Sequence, residues 1–128
     1  MVNKPILNSS NSVTYKDVRS AIPSIVLNAG EQASRRFIEF FLVSIRNENT
    51  RAAYAQAIRQ FLEWCEGRGM GLTDISSLAI AAYIERHPGS PPTVNQHLSA
   101  IRSLFAWLVE GQVLSSNPGA EVQGVKHR

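Results

Sequence analysis

The sequence predicts an all-α fold, a bundle of four helices preceded by a flexible N-terminal extension. Apolar residues recur every three or four positions in four segments, and each segment is bounded by capping residues or glycines. No segment shows the alternation of polar and apolar residues that is typical of strands. We therefore expect an extension over 1–29, a helical domain over 30–118 and a linker over 119–128.

The first two predicted helices are defined by an apolar face and by capping signals. The first spans 30–46, and its apolar face contains Phe37, Phe40, Phe41, Ser44 and Ile45. The second begins after Asn47, a favourable N-cap residue, and Glu48 places negative charge in its first turn. Gly67 follows its end. Its buried face is predicted to contain Tyr54, Ile58, Phe61 and Cys65.

The third and fourth predicted helices also begin at serines. The third runs over about 76–86, with Ser76 or Ser77 as its cap. Ser90 caps the fourth helix, and Pro91 occupies its first position, where a missing N–H has little cost. Gly111 ends it. The apolar face of the fourth helix is predicted to contain Val94, Leu98, Ile101, Phe105 and Leu108.

Composition limits the possible environments and partners. The chain has 13 basic and 10 acidic side chains, so DNA affinity must depend on where the arginines lie rather than on net charge. It has no apolar run of about 18 residues, which excludes a membrane span, and no signal peptide is evident. Cys65 is the only cysteine, so we expect it in the core of a cytoplasmic protein. We also expect the chain to be monomeric in isolation.

Two predicted helix surfaces carry small, mostly uncharged side chains where Glu and Lys are usual. A helix that lies in a nucleic-acid groove favours such residues, because long charged side chains would hold its backbone away. Packing on another helix or domain is an equally good interpretation. The outward residues of the second helix are Asn49, Ala52, Ala53, Gln56, Arg59, Gln60 and Glu63. Those of the fourth are Gln96, Ser99, Ala100, Ser103 and Ala106, with Asn95 and Arg102 at the edges.

Few single residues are candidates for binding or catalysis. Thr50 and Thr93 lie in first helical turns, where their hydroxyls could hold a phosphate or cap the helix locally. The histidines lack metal-ligand spacing, and we expect His97 to be packed rather than catalytic. No catalytic motif, cofactor site or metal site is evident. Trp107 lies off the apolar face, so it covers the first helix or meets a partner domain.

Two segments together resemble a known family. Asn49-Thr50-Arg51-x-x-Tyr54 with Phe61-x-x-Trp64-Cys65 resembles the second helix of the N-terminal core-binding domain of tyrosine recombinases and phage integrases. The run from Ser90 through Thr93-Val94-Asn95-Gln96-His97-Leu98-Ser99 to Phe105 resembles the fourth helix of that domain. The resemblance covers about residues 31–128 and includes the order of all four helices.

The resemblance implies a SAM-like bundle that clamps one face of double-stranded DNA with its second and fourth helices. It implies a catalytic domain of the same parent protein and other recombinase protomers on DNA as partners. The contacts it implies are Thr50, Gln56, Thr93 and Gln96, with Arg51, Asn95, Ser99 and Arg102 as further candidates.

The residues that would catalyse recombination are absent from this sequence, so the chain is expected to bind DNA without cutting it, as a fragment of a recombinase. Two alternatives remain open. One is a helical protein-interaction domain without DNA binding. The other is a helix-turn-helix regulator, although the third and fourth helices lack the usual short turn between them.

Overall fold

The described residues form five α-helices. The computed structural model describes residues 21–126, so residues 1–20 of the N-terminal extension predicted for 1–29 lie outside this range. The helices are α1 (Ser24–Leu27), α2 (Glu31–Glu39), α3 (Glu48–Glu66), α4 (Ser77–Arg86) and α5 (Pro91–Glu110). A π-helical segment (Phe40–Ser44) follows α2, and a 3-10 turn (Leu72–Asp74) precedes α4. The all-α prediction is confirmed, and α2 to α5 are the four predicted helices.

Local capping places the starts of the helices where the sequence predicts them. The Asn47 Oδ1 accepts a hydrogen bond from the Thr50 N–H at 3.0 Å, which satisfies one free amide of the first turn of α3. The Ser76 Oγ does the same for the Ala79 N–H at 3.1 Å. Ser90 behaves differently, because its hydroxyl donates to Thr93 Oγ1 at 3.1 Å and not to the backbone of α5.

The core lies between α3 and α5. Phe61 packs edge-on against Phe105 and Tyr83, with ring centroids 6.5 and 5.0 Å apart. The predicted apolar face of α5 is fully buried, and so is Cys65 on α3. Ala100 was expected to face outward but is completely buried, because its single methyl group is small enough to be enclosed in the packed core.

The first predicted helix changes geometry before its end. It is α-helical only to Glu39 and continues as a π-helical segment, in which each hydrogen bond spans five residues. The wider turn shifts the phase of the face, so Phe40 is buried while Ser44 is exposed. Leu42 and Val43 are therefore 57% and 61% exposed.

Residues 22–27 belong to the packed domain, which corrects the expectation that everything before residue 30 is loose. Ile22, Ile25 and Val26 are buried in the core. Glu66, at the end of α3, accepts hydrogen bonds from the Ser24 hydroxyl at 3.0 Å and the Ile25 N–H at 2.9 Å. This carboxylate supplies the cap that Pro23, before α1, cannot provide.

Trp107 covers α2, the first of the two roles considered for it. Its indole N–H donates to the Arg36 carbonyl at 2.8 Å, and the Arg36 guanidinium lies 4.1 Å from the centre of its ring. Gly111 is required beside this contact because a Cβ there would collide with the Arg36 side chain. Within residues 21–126, none of the helices combines the length and apolar character needed to cross a membrane.

Candidate nucleic-acid interface

The exposed surface of α5 between residues 92 and 106 carries no charged side chain. Its members recur at helical spacing along one face, opposite the side that packs on α3. They are Pro92, Thr93, Gln96, Ser99, Ser103 and Ala106, and we call this set the α5 face. The side chains of Gln96 and Ser99 form no hydrogen bond with another described residue, so their polar groups are available to an external partner.

The exposed surface of α3 is more mixed. Gln56 and Thr50 are exposed as predicted, whereas Ala53 is only half-exposed. Arg59 adds one positive charge, and Glu48 and Glu63 add two negative ones. Arg59 forms no ion pair with any other described residue, so its guanidinium can reach a phosphate. The exposed members along α3 are Glu48, Asn49, Thr50, Ala52, Gln56, Arg59, Gln60 and Glu63.

The two threonines at the helix starts are partly occupied by local contacts. The Thr50 N–H already donates to Asn47, so it is not free for a phosphate, although the Thr50 side chain is exposed. Thr93 Oγ1 accepts from the Ser90 hydroxyl but is also exposed. Both hydroxyls can still donate to an oxygen outside the domain.

Arg51 supports the fold at the start of α3. Its Nη2 donates to the Ile45 carbonyl at 2.7 Å, and its Nε is buried without a partner among the described residues. The guanidinium thus ties the end of the π-helical segment to α3. This placement favours a structural role over the predicted contact with DNA.

Asn95 and Arg102 are tied to the C-terminal segment, which we define as residues 119–125. The Asn95 Nδ2 donates to the Val125 carbonyl, and the Val125 N–H donates to Asn95 Oδ1, both at 2.8 Å. The Arg102 Nε donates to the Gly119 carbonyl at 2.9 Å, and its Nη2 donates to the Val122 carbonyl. Residues 119–125 therefore lie against α5, which corrects the prediction of a linker leaving the domain from residue 119.

A buried polar cluster connects α4 to the start of α5. His97 is buried, and its Nδ1 lies 3.0 Å from the Tyr83 hydroxyl. The His87 and His97 rings are 4.5 Å apart, and the Gly89 N–H donates to His87 Nδ1 at 3.0 Å. Burial, and then the neighbouring His87, lower the pKa of His97 from its ordinary value of 6.5. His97 is thus packed, as predicted, and neutral at physiological pH.

Two other buried groups are chemically inactive. Burial raises the pKa of the Cys65 thiol to about 12 and that of the Tyr83 phenol to about 12. A thiol with so high a pKa is a poor nucleophile. Within residues 21–126, no three His, Cys, Asp or Glu side chains are grouped so that they could hold a metal ion.

Sequence reasoning placed Ser103 on the outward surface but left it out of the candidate contacts. It lies one turn after Ser99 and two turns after Gln96, and it is exposed on the α5 face. Helical spacing was the signal that could have added it. The structure therefore brings Gln96, Ser99 and Ser103 together and assigns Asn95 and Arg102 to the C-terminal segment.

Residues 35–112 match the phage integrase N-terminal SAM-like domain. This match covers more than half of the chain and includes α3, α4 and α5 entirely. The chain belongs to this family, and the resemblance seen in its second and fourth predicted helices is confirmed.

The curated relatives are tyrosine recombinases. The chain is 24% identical over 119 residues to tyrosine recombinase XerC of Xanthomonas campestris pv. campestris strain B100, with 86% of this chain and 37% of the relative covered. The same values hold for the XerC proteins of strain 8004 and strain ATCC 33913 of that organism. The chain thus spans little more than a third of the length of these relatives. No solved structure matches it significantly.

Proposed function

We propose that this domain binds double-stranded DNA for a site-specific tyrosine recombinase, gripping the recombination site with the α5 face and the exposed side of α3. One observation carries the proposal. The α5 face presents hydroxyl and amide groups over about three turns without a single carboxylate, so it can approach a phosphate backbone without charge repulsion.

The chemistry of the exposed residues agrees with DNA recognition. Gln side chains pair with adenine edges, and Ser hydroxyls reach bases or phosphates. Gln56 on α3 and Gln96 on α5 are both exposed and free of partners among the described residues. Arg59 forms no ion pair within residues 21–126 and adds a positive charge on the exposed side of α3, which also carries Glu48 and Glu63.

The family membership extends the proposal to the parent protein. A tyrosine recombinase breaks and rejoins DNA through a catalytic domain, and the matched region here is the N-terminal domain and not that catalytic part. We therefore assign to this domain binding without cleavage, in the cytoplasm. Its partners would be the catalytic domain of the same parent and other protomers on the same site.

A protein-interaction domain is the competing function, and one observation favours it. Leu42, Val43 and Leu78 are large apolar side chains that are 57%, 61% and 80% exposed. Leu42 and Val43 adjoin each other in the π-helical segment. These exposed apolar side chains are separate in sequence from the α5 face, so variants distinguish the two functions.

The proposal is tested by titrating a fluorescent DNA duplex with the chain and measuring anisotropy. Several phosphate contacts predict an affinity loss of more than about ten-fold between about 50 and about 200 mM salt. The Ser99→Glu variant sets a carboxylate against the DNA and should lose affinity about five-fold or more, since such repulsion costs about 1 kcal/mol.

The matched control is Ser116→Glu, which makes the same chemical change at an exposed position in the loop after α5. Its affinity should stay within about two-fold of the parent chain because distant surface charges are screened. Equal losses in both variants would mean that the α5 face is not the interface. Absence of binding at about 50 mM salt would favour the protein-interaction function.

A further inference from the structure

The C-terminal segment is attached to α5 along its length. Arg102 donates to carbonyls at the start and middle of the segment, at Gly119 and Val122. Asn95, two turns earlier on α5, pairs with both backbone groups of Val125. The segment therefore runs antiparallel to α5, back towards the first turns of that helix.

The chemistry of the two α5 residues matches an extended backbone. A carboxamide carries one acceptor and one donor group, so Asn95 can satisfy the N–H and the C=O of a single residue. The forked guanidinium of Arg102 reaches two carbonyls at once. The same groups could pair with the edges of DNA bases, but here they already bind the backbone of residues 119–125.

The segment itself is shaped for this position. The Val122 side chain is only 7% exposed and belongs to the hydrophobic core. A Cβ at Gly124 would lie 2.6 Å from Asn95 Oδ1, so any other residue would push the Asn95 carboxamide away from the backbone of the segment. Just before the segment, the Ser77 hydroxyl donates to the Pro118 carbonyl at 2.6 Å and ties the same chain to α4.

We infer that Asn95 and Arg102 are positioning residues that anchor the C-terminal segment and fix where the chain continues past Val125. The chain beyond this point then starts beside the first turns of α5, next to the α5 face. This anchoring does not depend on DNA binding. Its corollary, that Asn95 and Arg102 make no contact with bound DNA, does rest on the proposed function.

The direct test is the exchange rate of the Val125 amide proton with solvent, measured by NMR on the intact 128-residue chain. In the parent chain this amide should exchange more slowly than a free one, because it donates to Asn95 Oδ1. The Asn95→Ala variant removes both bonds to Val125 and should raise the exchange rate by about ten-fold or more. A local opening predicts no comparable change in amides of the core.

Gly124→Ala should disturb the contact between Asn95 and Val125 through a change in the C-terminal segment. Its methyl group displaces the Asn95 side chain, so Val125 exchange should rise although no residue of α5 is substituted. Combined with Asn95→Ala, it should add almost nothing, because both substitutions remove one interaction. Gln96→Ala, on the adjacent position of α5, is the matched control and should leave the rate unchanged.

Several results would overturn the inference. One is unprotected exchange of Val125 in the parent chain, and another is unchanged exchange in Asn95→Ala. Fully additive effects of Asn95→Ala and Gly124→Ala would also contradict it. Because none of these measurements contains DNA, they decide the anchoring even if the chain fails to bind a duplex.

Discussion

Two adjacent stripes of α5 carry similar polar side chains and differ in what they bind. Gln96 and Ser99 are exposed and have no partner in the described part of the chain. Asn95 and Arg102 lie on the same helix, each within about 100° of Ser99 around its axis. Their side chains bind the backbone of residues 119–125. Amphipathic spacing shows that a polar residue lies outside the core. It does not show whether an internal partner already occupies that residue.

The core beneath both stripes should give the largest effect on stability. Phe61 is buried between α3, α4 and α5, where it contacts Tyr83 and Phe105. We expect Phe61→Ala to lower the free energy of unfolding by about 3–5 kcal/mol, because it leaves a cavity in a packed core. Chemical denaturation followed by circular dichroism measures this loss.

Leu78→Ala is the control for that change, since Leu78 is 80% exposed. Its effect should stay within about 0.5 kcal/mol. A small effect of Phe61→Ala would mean that α3 does not pack on α5 through this face, and both stripes would then need new positions.

Arg102→Ala and Gln96→Ala should differ in their effect on stability, because only Arg102 binds another part of the chain. Removing Arg102 leaves two carbonyls without their charged donor and should lower the free energy of unfolding by about 1–3 kcal/mol. Removing Gln96 should change it by no more than about 0.5 kcal/mol. Thermal or denaturant unfolding of the two variants provides the measurement.

For duplex affinity the order of the two variants should reverse, with Gln96→Ala having the larger effect. Arg102→Ala is expected to reduce duplex affinity by less than about three-fold, through its long-range charge alone. Gln96→Ala removes a contact that the proposed function places on DNA and should weaken binding more. If Arg102→Ala is the more damaging variant for DNA while the fold is kept, Arg102 contacts DNA and the division between the stripes is wrong.

The smallest expected effect is the pH dependence caused by His97. Its pKa is lowered in the folded chain, chiefly by burial, so the unfolded chain takes up a proton more readily. The contribution of the neutral imidazole to stability is therefore complete above pH 6.5 and decreases as the pH falls below that value.

Unfolding midpoints between about pH 7.5 and about pH 5.5 should show this decrease. His97→Gln can still accept the Tyr83 hydroxyl but cannot take up a proton, so its midpoint should depend less on pH. An equal dependence in both proteins would assign the effect to another group.

Most of the helical architecture could be read from local signals. Asn47 and Ser76 act within one turn of their own helices, and the apolar stripes of α3 and α5 repeat with the helical period. The π-helical segment escaped prediction because its residues fit an α-helical stripe equally well. The packing of residues 22–27 in the domain was not predicted, because their cap, Glu66, lies 41 or 42 positions away in the chain.

The same distinction separates the candidate site into two parts. The four main helices, the buried faces and the small, uncharged surface of α5 could be predicted from residue spacing, because each depends on spacing within a single helix. Which outward residues remain free depends on contacts between distant parts of the chain. Arg102 and Asn95 meet partners 17 to 30 positions further along the chain, and contacts over such separations depend on how the whole bundle packs.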